Sequence, residues 1–426
     1  MLDHLLSLID LKAADHSRLV RYYTGTQPLT YLSPDARKNL DNRLTAVSVN
    51  IPRLLVDTLG ERLRVVGFTD PAVWPHWIRN GMQTLSATCH REAMMLGDCY
   101  VLAWADHKGP RITVESATQI AVAHDPATRE VTAGVKRWED RTGTWAVEYG
   151  PEEIVKHHSP TRGATTGFRV VERLANPFGR PPLVHFRNGD RLVVEGISEM
   201  LDVIPLTDAL VKVTTDMLVA SEFTARPRRW ATGIELVEDD NGDTINPIPE
   251  GDRAMISEDP ESRFGQLPGS DLSGYETAVG VLMRQISAVS GLPEHALGIT
   301  GENPASADAI RASEAALTAK AEARQGQFGQ AWTEVAQLVL AADTGRDPDT
   351  FDPVPVWADA STRSVAAEAD AAVKLVQAGI LPITHALKRL GYSETEIAEI
   401  RTARRAEALD TIGTNLDQLL TKGGTQ

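Results

Sequence analysis

At 426 residues, 42% of them hydrophobic, the chain can bury a sizeable core and divide into two or three domains. Its formal charge of −15 disfavours a protein that grips nucleic acid, because phosphate contacts need clustered Lys and Arg, and suits any soluble acidic protein. Two cysteines, Cys89 and Cys99, supply neither a disulfide framework nor a zinc ligand set, and no apolar run approaches the roughly 18 residues of a membrane span; no metal, cofactor or membrane partner is expected.

The chain opens with Leu5, Leu8, Ile9, Leu19 and Tyr22 at helical spacing, and MLDHLLSLIDLK lacks the basic start of a secretory signal, so synthesis in the cytoplasm is expected. Pro/Ser punctuation over 27–34 precedes helices expected at 35–44 and 47–60. Residues 74–97 read as two more helical pieces with Cys89, Met94 and Leu96 on the buried side. Then the period changes. The runs 98–104, 111–114, 119–124, 131–138 and 144–149 are β-branched and aromatic, separated by turn signals such as DPATRE and EDRTGT, and read as hairpins of an antiparallel sheet. Residues 150–190 extend that sheet and end in the strand PPLVHFRN.

Residues 196–226 return to helix, with Ile197, Leu201, Leu206, Leu210, Val213, Met217 and Leu218 apolar and Pro205 expected as a kink or restart. In the following segment Trp230, Ile234, Leu236 and Val237 suggest a strand and DDNGD a tight turn. It carries five basic residues, concentrated at Arg226, Arg228 and Arg229, against ten acidic ones. The helix SDLSGYETAVGVLMRQISAVSG then presents Leu272, Tyr275, Val279, Leu282, Ile286 and Val289 on one face. It is broken by Gly291, Pro293, Gly298, Gly301 and Pro304. Ser306 is the expected N-cap of a second, Ala-rich helix, proline-free from Ala307 to about Ala342 and so a rod of roughly 50 Å. A Pro-rich link leads to helices at 364–377, 383–390 and 393–409, the last opened by a capping box of Ser393 and Glu396. The tail from about 415 is expected to be loose.

Catalytic signatures are sparse. The Gly-Lys of a phosphate-binding loop never occurs, nor do HExxH or GxSxG. His157 and His158 are adjacent and would face opposite ways in a strand. Cys89 with His90 and Asp98 can be drawn as a nucleophile set, but a lone Cys on an apolar helical face is ordinarily core, and an enzyme is not expected.

The order of helix, LPEHALG break and SADAIRASEAALTAKAEARQGQFGQAW helix resembles the portal (head-to-tail connector) proteins of tailed bacteriophages, of the siphophage type. Tyr22, Tyr23 and Gly25, the stretch 50–68, NPFGRPPLVHFRN at 176–188 and the C-terminal LVQAGILPITHALKRLGYSETEI look like landmarks of the same family, so the resemblance spans nearly the whole chain. It implies an α+β fold: a wing at 1–195, first stem helix 196–225, clip 226–268, second stem helix 269–290, tunnel loop 291–305, long wing/tunnel helix 306–345 and crown 346–426. It also implies a ring of identical chains, a dodecamer, at one capsid vertex of the virion, assembled in the host cytoplasm. That ring would conduct double-stranded DNA during packaging and ejection, and would meet the large terminase subunit, a head-completion or adaptor protein, and the major capsid and scaffolding proteins.

On that resemblance Gly298, Gly301, Glu302 and Asn303 line the tunnel loop, with its glycines letting copies differ in conformation as DNA passes. Arg311, Lys320 and Arg324 become candidate channel or interface charges; the plainer reading makes them helix-surface pairs, such as Arg311 with Glu314. Arg226, Arg228, Arg229, Trp230, Asp239 and Asp240 become the clip interface, acidic turn against basic strand of the next copy. Two other readings stay open: a non-channel structural, scaffolding or adaptor protein of the virion, and a hydrolase using Asp98, His90 and Cys89.

Overall fold

The computed structural model describes residues 1–28, 49–192, 195–225, 229–233, 237–238, 244–245, 260–266, 272–299, 307–361, 365–393 and 395–407. The chain divides into two compact units, one formed by 1–27, 50–204 and 287–426, the other by 28–49 and 205–286. Helix and sheet are mixed in the first, as expected of an α+β chain.

The first unit begins with α1 (Leu2–Thr24), closed by Gly25 at φ 72°, a left-handed position that glycine adopts without strain. Helix α2 (Ile51–Gly60) starts later than the expected 47, because Asn50 caps it: its side chain accepts from the Arg53 N–H at 3.3 Å and donates to the Tyr23 carbonyl at 2.9 Å. Tyr23 in turn donates to Asp57 at 2.9 Å, so the Tyr23 and Asn50 landmarks form one joint between α1 and α2. The helix expected at 35–44 lies outside the described residues. Next come β1 (Val65–Phe68), α3 (Val73–Arg79) and α4 (Met82–Leu96), with Cys89, Met94 and Leu96 buried as their spacing required.

The strands that follow fall into two sheets rather than one. β2 (Asp98–Asp106) is central to a three-stranded sheet between β3 (Gly109–Ser116) and β9 (Leu183–Arg187). β4 (Ile120–His124), β5 (Val131–Asp140), β6 (Gly143–Tyr149), β7 (Glu153–Ser159) and β8 (Arg169–Ala175) form a five-stranded meander. The strand in PPLVHFRN therefore does not extend the meander; it returns to pair with β2, Cys99 opposite Phe186 and Val101 opposite Val184. One face of the meander packs on α1 through Leu5, Leu6 and Ile9 against Ala121, Ala133, Val135 and Ala146.

The Ala-rich rod is α7 (Ala307–Thr344), 38 residues and about 57 Å long; its expected cap, Ser306, lies outside the described residues. Its second half is the core of the unit. Trp332 packs edge-on against Trp77 at 4.8 Å and Phe186 at 4.5 Å, and Phe328 stacks on His90 at 5.3 Å. The Pro-rich link contains β14 (Pro355–Trp357), which pairs antiparallel with β1. Helices α8 (Val365–Gln377) and α9 (Ile383–Arg389) follow, and 395–407 is helical. The capping box is present: the Ser393 N–H and hydroxyl donate to Glu396 Oε2 at 2.7 and 2.8 Å, and the Glu396 N–H donates back to the Ser393 hydroxyl at 3.3 Å.

Helix α5 spans Ile204–Ala225, so it starts at Ile204, with Pro205 in its first turn, rather than at 196. Proline fits there because the N–H it lacks has no helical partner in the first turn. β10 (Arg229–Thr232) pairs with β13 (Arg263–Gln266), and β11 (Val237–Glu238) with β12 (Thr244–Ile245). Helix α6 spans Ser273–Ser290 and its last residues belong to the first unit. Among the described residues no helix is long and apolar enough to cross a membrane.

Candidate functional site

The elbow between α6 and α7 is described from Gly291 to Ile299. Gly291 ends α6 at φ 76° and its N–H donates to Ser287 O at 2.9 Å. The Ser287 hydroxyl donates to Leu292 O at 2.7 Å, and the Leu292 N–H to the Ser290 hydroxyl at 3.1 Å, so a proline-ended turn is fastened at both sides. A short 3-10 helix, Glu294–Leu297, follows, closed by Gly298 at φ 74°. The two glycines thus occupy left-handed caps that a side chain would strain, and this is a defined conformation rather than a loose one. Gly301, Glu302 and Asn303 lie outside the described residues.

At the foot of this elbow sits an ion-pair cluster. Glu199, 9% exposed, accepts from Arg324 Nε at 2.7 Å and pairs with Lys320 Nζ at 2.8 Å. Arg324 Nη1 donates to Asp190 at 2.7 Å and to Gln327 Oε1 at 3.0 Å, and Lys320 also reaches the Ser290 carbonyl at 3.4 Å. Burial alone would push the Glu199 carboxyl up; the charges and hydrogen bonds of Lys320 and Arg324 outweigh it and hold that carboxyl below its ordinary value. The Arg324 hydrogen bond does the same for the more exposed Asp190.

About two turns nearer the elbow along α7, Arg62 and Glu314 pair at 3.3 Å, with His295 Nε2 of the elbow 3.5 Å from the same carboxylate. Arg62 also donates to the Ala360 carbonyl at 2.8 Å. Lys320 and Arg324 thus have carboxylate partners from a distant part of their own chain. Glu314, drawn as a surface partner for Arg311, is buried and pairs with Arg62. Arg311 itself is exposed.

Spacing on α7 gave no hint of Glu199 or Asp190, which lie more than a hundred residues away. The signal that was available is Asn188, the last residue of the NPFGRPPLVHFRN landmark. Its side chain donates to Ile197 O at 2.6 Å and to Glu199 at 3.2 Å, and the Glu199 N–H is held by Met94 O at 2.9 Å, so the carboxylate is delivered to α7 on a fixed strut. Gly97 and Gly196 approach so closely that a Cβ on Gly196 would overlap the Gly97 carbonyl, which makes the strut possible.

Of the clip residues, Trp230 lies opposite Gly265 across β10 and β13, and is 42% exposed. Arg229 is the register partner of Gln266. Arg226, Arg228, Asp239 and Asp240 lie outside the described residues.

The hydrolase reading does not assemble. His90 is fully buried; its Nε2 accepts from Trp332 Nε1 at 2.8 Å and its Nδ1 faces Leu63 O at 3.1 Å, so both ring nitrogens are committed. Burial lowers its pKa to about 3, fixing a neutral ring with the proton on Nδ1. Burial pushes the Cys89 thiol up, away from the thiolate a nucleophile needs. Asp98 is used elsewhere, accepting from His185 at 2.8 Å and Lys12 at 3.1 Å, which hold it ionised despite its burial. His157 and His158 do turn opposite ways, toward Glu148 and onto Trp145. Among the described residues no group of His, Cys, Asp and Glu is placed to hold a metal ion.

This arrangement is structural: a rigid helix that carries a turn on a charged footing, in a chain with no assembled catalytic set among the described residues. The chain belongs to the phage portal protein family: residues 10–409 match the family model described as "Phage portal protein, SPP1 Gp6-like". It is 31% identical over 406 residues to the portal protein of Mycobacterium phage D29 and 30% identical over 402 residues to that of Mycobacterium phage L5; each alignment covers 87% of this chain and 82% of the relative. Its function is that of a phage portal at the capsid vertex. Solved structures similar to it include a chain of the virion of a native gene transfer agent particle (17% identity, TM-score 0.48, covering 89% of this chain and 93% of that one). Another is a chain of the neck of an empty particle of that agent (15% identity, TM-score 0.49, covering 89% and 94%).

Proposed function

We propose that identical copies of this chain close into a ring of twelve around an open axis, with the elbow at the narrowest point of a channel for double-stranded DNA during packaging and ejection. The observation that supports this reading is the footing of the elbow: Ser290 at the end of α6, Lys320 on α7 and Glu199 of the strut are tied together, so the loop is presented on a rigid base. A loop that must hold its direction against a moving duplex needs such a base. A loop that only connects two helices does not.

In this reading the wing spans 1–195, the stem 196–225 and 269–290, the clip 226–268, the tunnel loop 291–305, the long helix 306–345 and the crown 346–426. Gly298, Gly301, Glu302 and Asn303 belong to the loop. Arg226, Arg228, Arg229, Trp230, Asp239 and Asp240 form the clip contact between copies and the platform for the large terminase subunit and then the head-completion or adaptor protein. The major capsid and scaffolding proteins surround the ring, which assembles in the host cytoplasm. Arg311, Lys320 and Arg324 are the candidate channel or interface charges of the long helix, and Lys320 and Arg324 also have carboxylate partners in their own chain. The heterologous contact of such a ring closes by rotation.

Two measurements test this. The mass of the purified protein across salt concentrations should give a closed oligomer, and images should show a central hole; a monomer at every salt concentration would sink the ring. Removing residues 298–304 should leave capsids that carry the protein at a vertex but package far less DNA; undiminished packaging would remove the loop from the channel.

A further inference from the structure

The sheet edges of the first unit are treated differently from one another. The outer edge of β3 is plugged. Asn80 donates to Pro110 O at 3.1 Å and accepts from the Ile112 N–H at 3.1 Å, copying the bonds of a paired strand, and Arg79 donates to Pro110 O at 2.7 Å. The strands β4 and β9 are bridged by the His124 Nε2 to His185 Nδ1 contact at 3.1 Å. Among the described residues the last strand of the meander, β8, has β7 on one side only, and all seven of its residues are exposed. Val170 is 49%, Val171 55% and Leu174 44% exposed. The register, which shifts at a bulge between Lys156 and His157, sets Val170 opposite His157 and Leu174 opposite Ile154, so these apolar side chains lie on the two opposite faces of the sheet. A long edge that is apolar on both faces is a template for another strand unless something covers it.

We propose that β8 is an interface between copies of this chain: the backbone edge and its flanking Val170, Val171 and Leu174 take an extended segment of the neighbouring protomer, so the meander continues into the next subunit. This rests on the ring proposed above. The occupant is argued from charge. Residues 153–175 carry Lys156, Arg162, Arg169 and Arg173 against Glu153 and Glu172, whereas the whole chain carries −15; Arg173 pairs with Glu153 and Arg162 with Glu139, so Arg169 on β8 and Lys156 carry the excess. Copies of so acidic a chain repel one another when they meet through typical surface, and a basic rim is where a second copy meets the least repulsion. Backbone pairing then supplies the affinity and the apolar side chains the register. One copy's β8 against a different surface of the next leaves that copy's own β8 free, the condition for a ring that closes by rotation rather than a pair.

The test combines a substitution with a cross-link. Val170→Glu together with Leu174→Glu changes side chains that are exposed in the protomer, so circular dichroism and melting of the monomer should match wild type. Ring assembly should weaken by about tenfold or more in association constant. A photo-reactive amino acid in place of Val171, in rings built from mixed unlabelled and 15N-labelled copies, should form cross-links that join a light peptide to a heavy one. Rings that assemble undiminished with the double Glu variant, or a Val171 probe that attaches only within its own copy, to another virion protein or to nothing, would overturn the proposal while leaving the ring intact. If the wild-type chain forms no ring, the parent reading has failed, and that is seen before any variant is made.

Discussion

The two halves of α7 hold the same helix by opposite means. From Phe328 onward it is anchored by burial: Phe328, Trp332, Val335, Leu338 and Val339 are all essentially inaccessible and pack on α3, α4 and β9. Nearer the elbow the anchors are Glu314, Lys320, Arg324, Gln325 and Gln327, each bonded to a group from elsewhere in the first unit. Apolar burial is strong but not directional, whereas a forked guanidinium on two carboxylates sets the rotation of the helix about its own axis. The apolar half keeps the helix in place and the polar half aims what it carries.

Substitutions in each half sharpen this contrast. Trp332→Ala should have the largest effect, about 3–5 kcal/mol for the void it leaves, and it orphans the buried His90 Nε2 as well. Denaturant unfolding followed by circular dichroism measures it. Arg324→Ala should cost about 3 kcal/mol, because Glu199 is left buried with only Lys320 and the Asn188 amide beside it. Asp190→Ala, at the exposed end of the same fork, should cost less than about 1 kcal/mol. Equal losses at Arg324 and Asp190 would show that the buried carboxylate is not the anchor.

The apolar half also has a pH dependence of its own. The His90 pKa is about 3 in the folded chain and about 6.5 unfolded. Between those values the unfolded chain binds more protons, so this residue's contribution falls as pH falls. The loss is about 2 kcal/mol between pH 6.5 and 5. His90→Gln can still donate to Leu63 O and accept from Trp332, so the difference in unfolding free energy between pH 6.5 and 5 should shrink by about that amount relative to wild type. In the elbow, Gly298→Ala should cost about 1–2 kcal/mol, since alanine resists φ near 74°. A neutral outcome there would mean that the turn rearranges freely.

What the sequence carried was what neighbouring residues determine. The Ala-rich run of α7, the Ser393–Glu396 box and the period-2 strands were legible because helix propensity, caps and alternation act over a few residues. The partner of each strand was not. Nothing local to PPLVHFRN says that it pairs with β2 rather than with β8, and Val65 of β1 finds Trp357 of β14 across some two thirds of the chain. The same limit applies at the elbow: the glycines and prolines predicted a break, but the carboxylates that fix its base come from residues 190 and 199. Arg324 on a polar helix surface gave no sign that it would be buried. Asn50 and Pro205 moved two helix starts by competing, through a side-chain cap and a missing N–H, with the apolar pattern.

The union of β1 with β14 sets a rule for anyone shortening this polypeptide. Ala358 N–H donates to Arg64 O at 2.9 Å, Gln325 reaches the Ala358 carbonyl at 3.2 Å, and Arg62 grasps Ala360 O. A stop codon at 345 would strip away the strand that zips onto Val65–Phe68, and with it Trp357, whose ring lies 5.5 Å from that of His90. Cutting after Ser361, 17 positions beyond the end of the rod at Thr344, spares every one of those links and gives up the bond from the Trp74 indole to Thr395 at 3.4 Å.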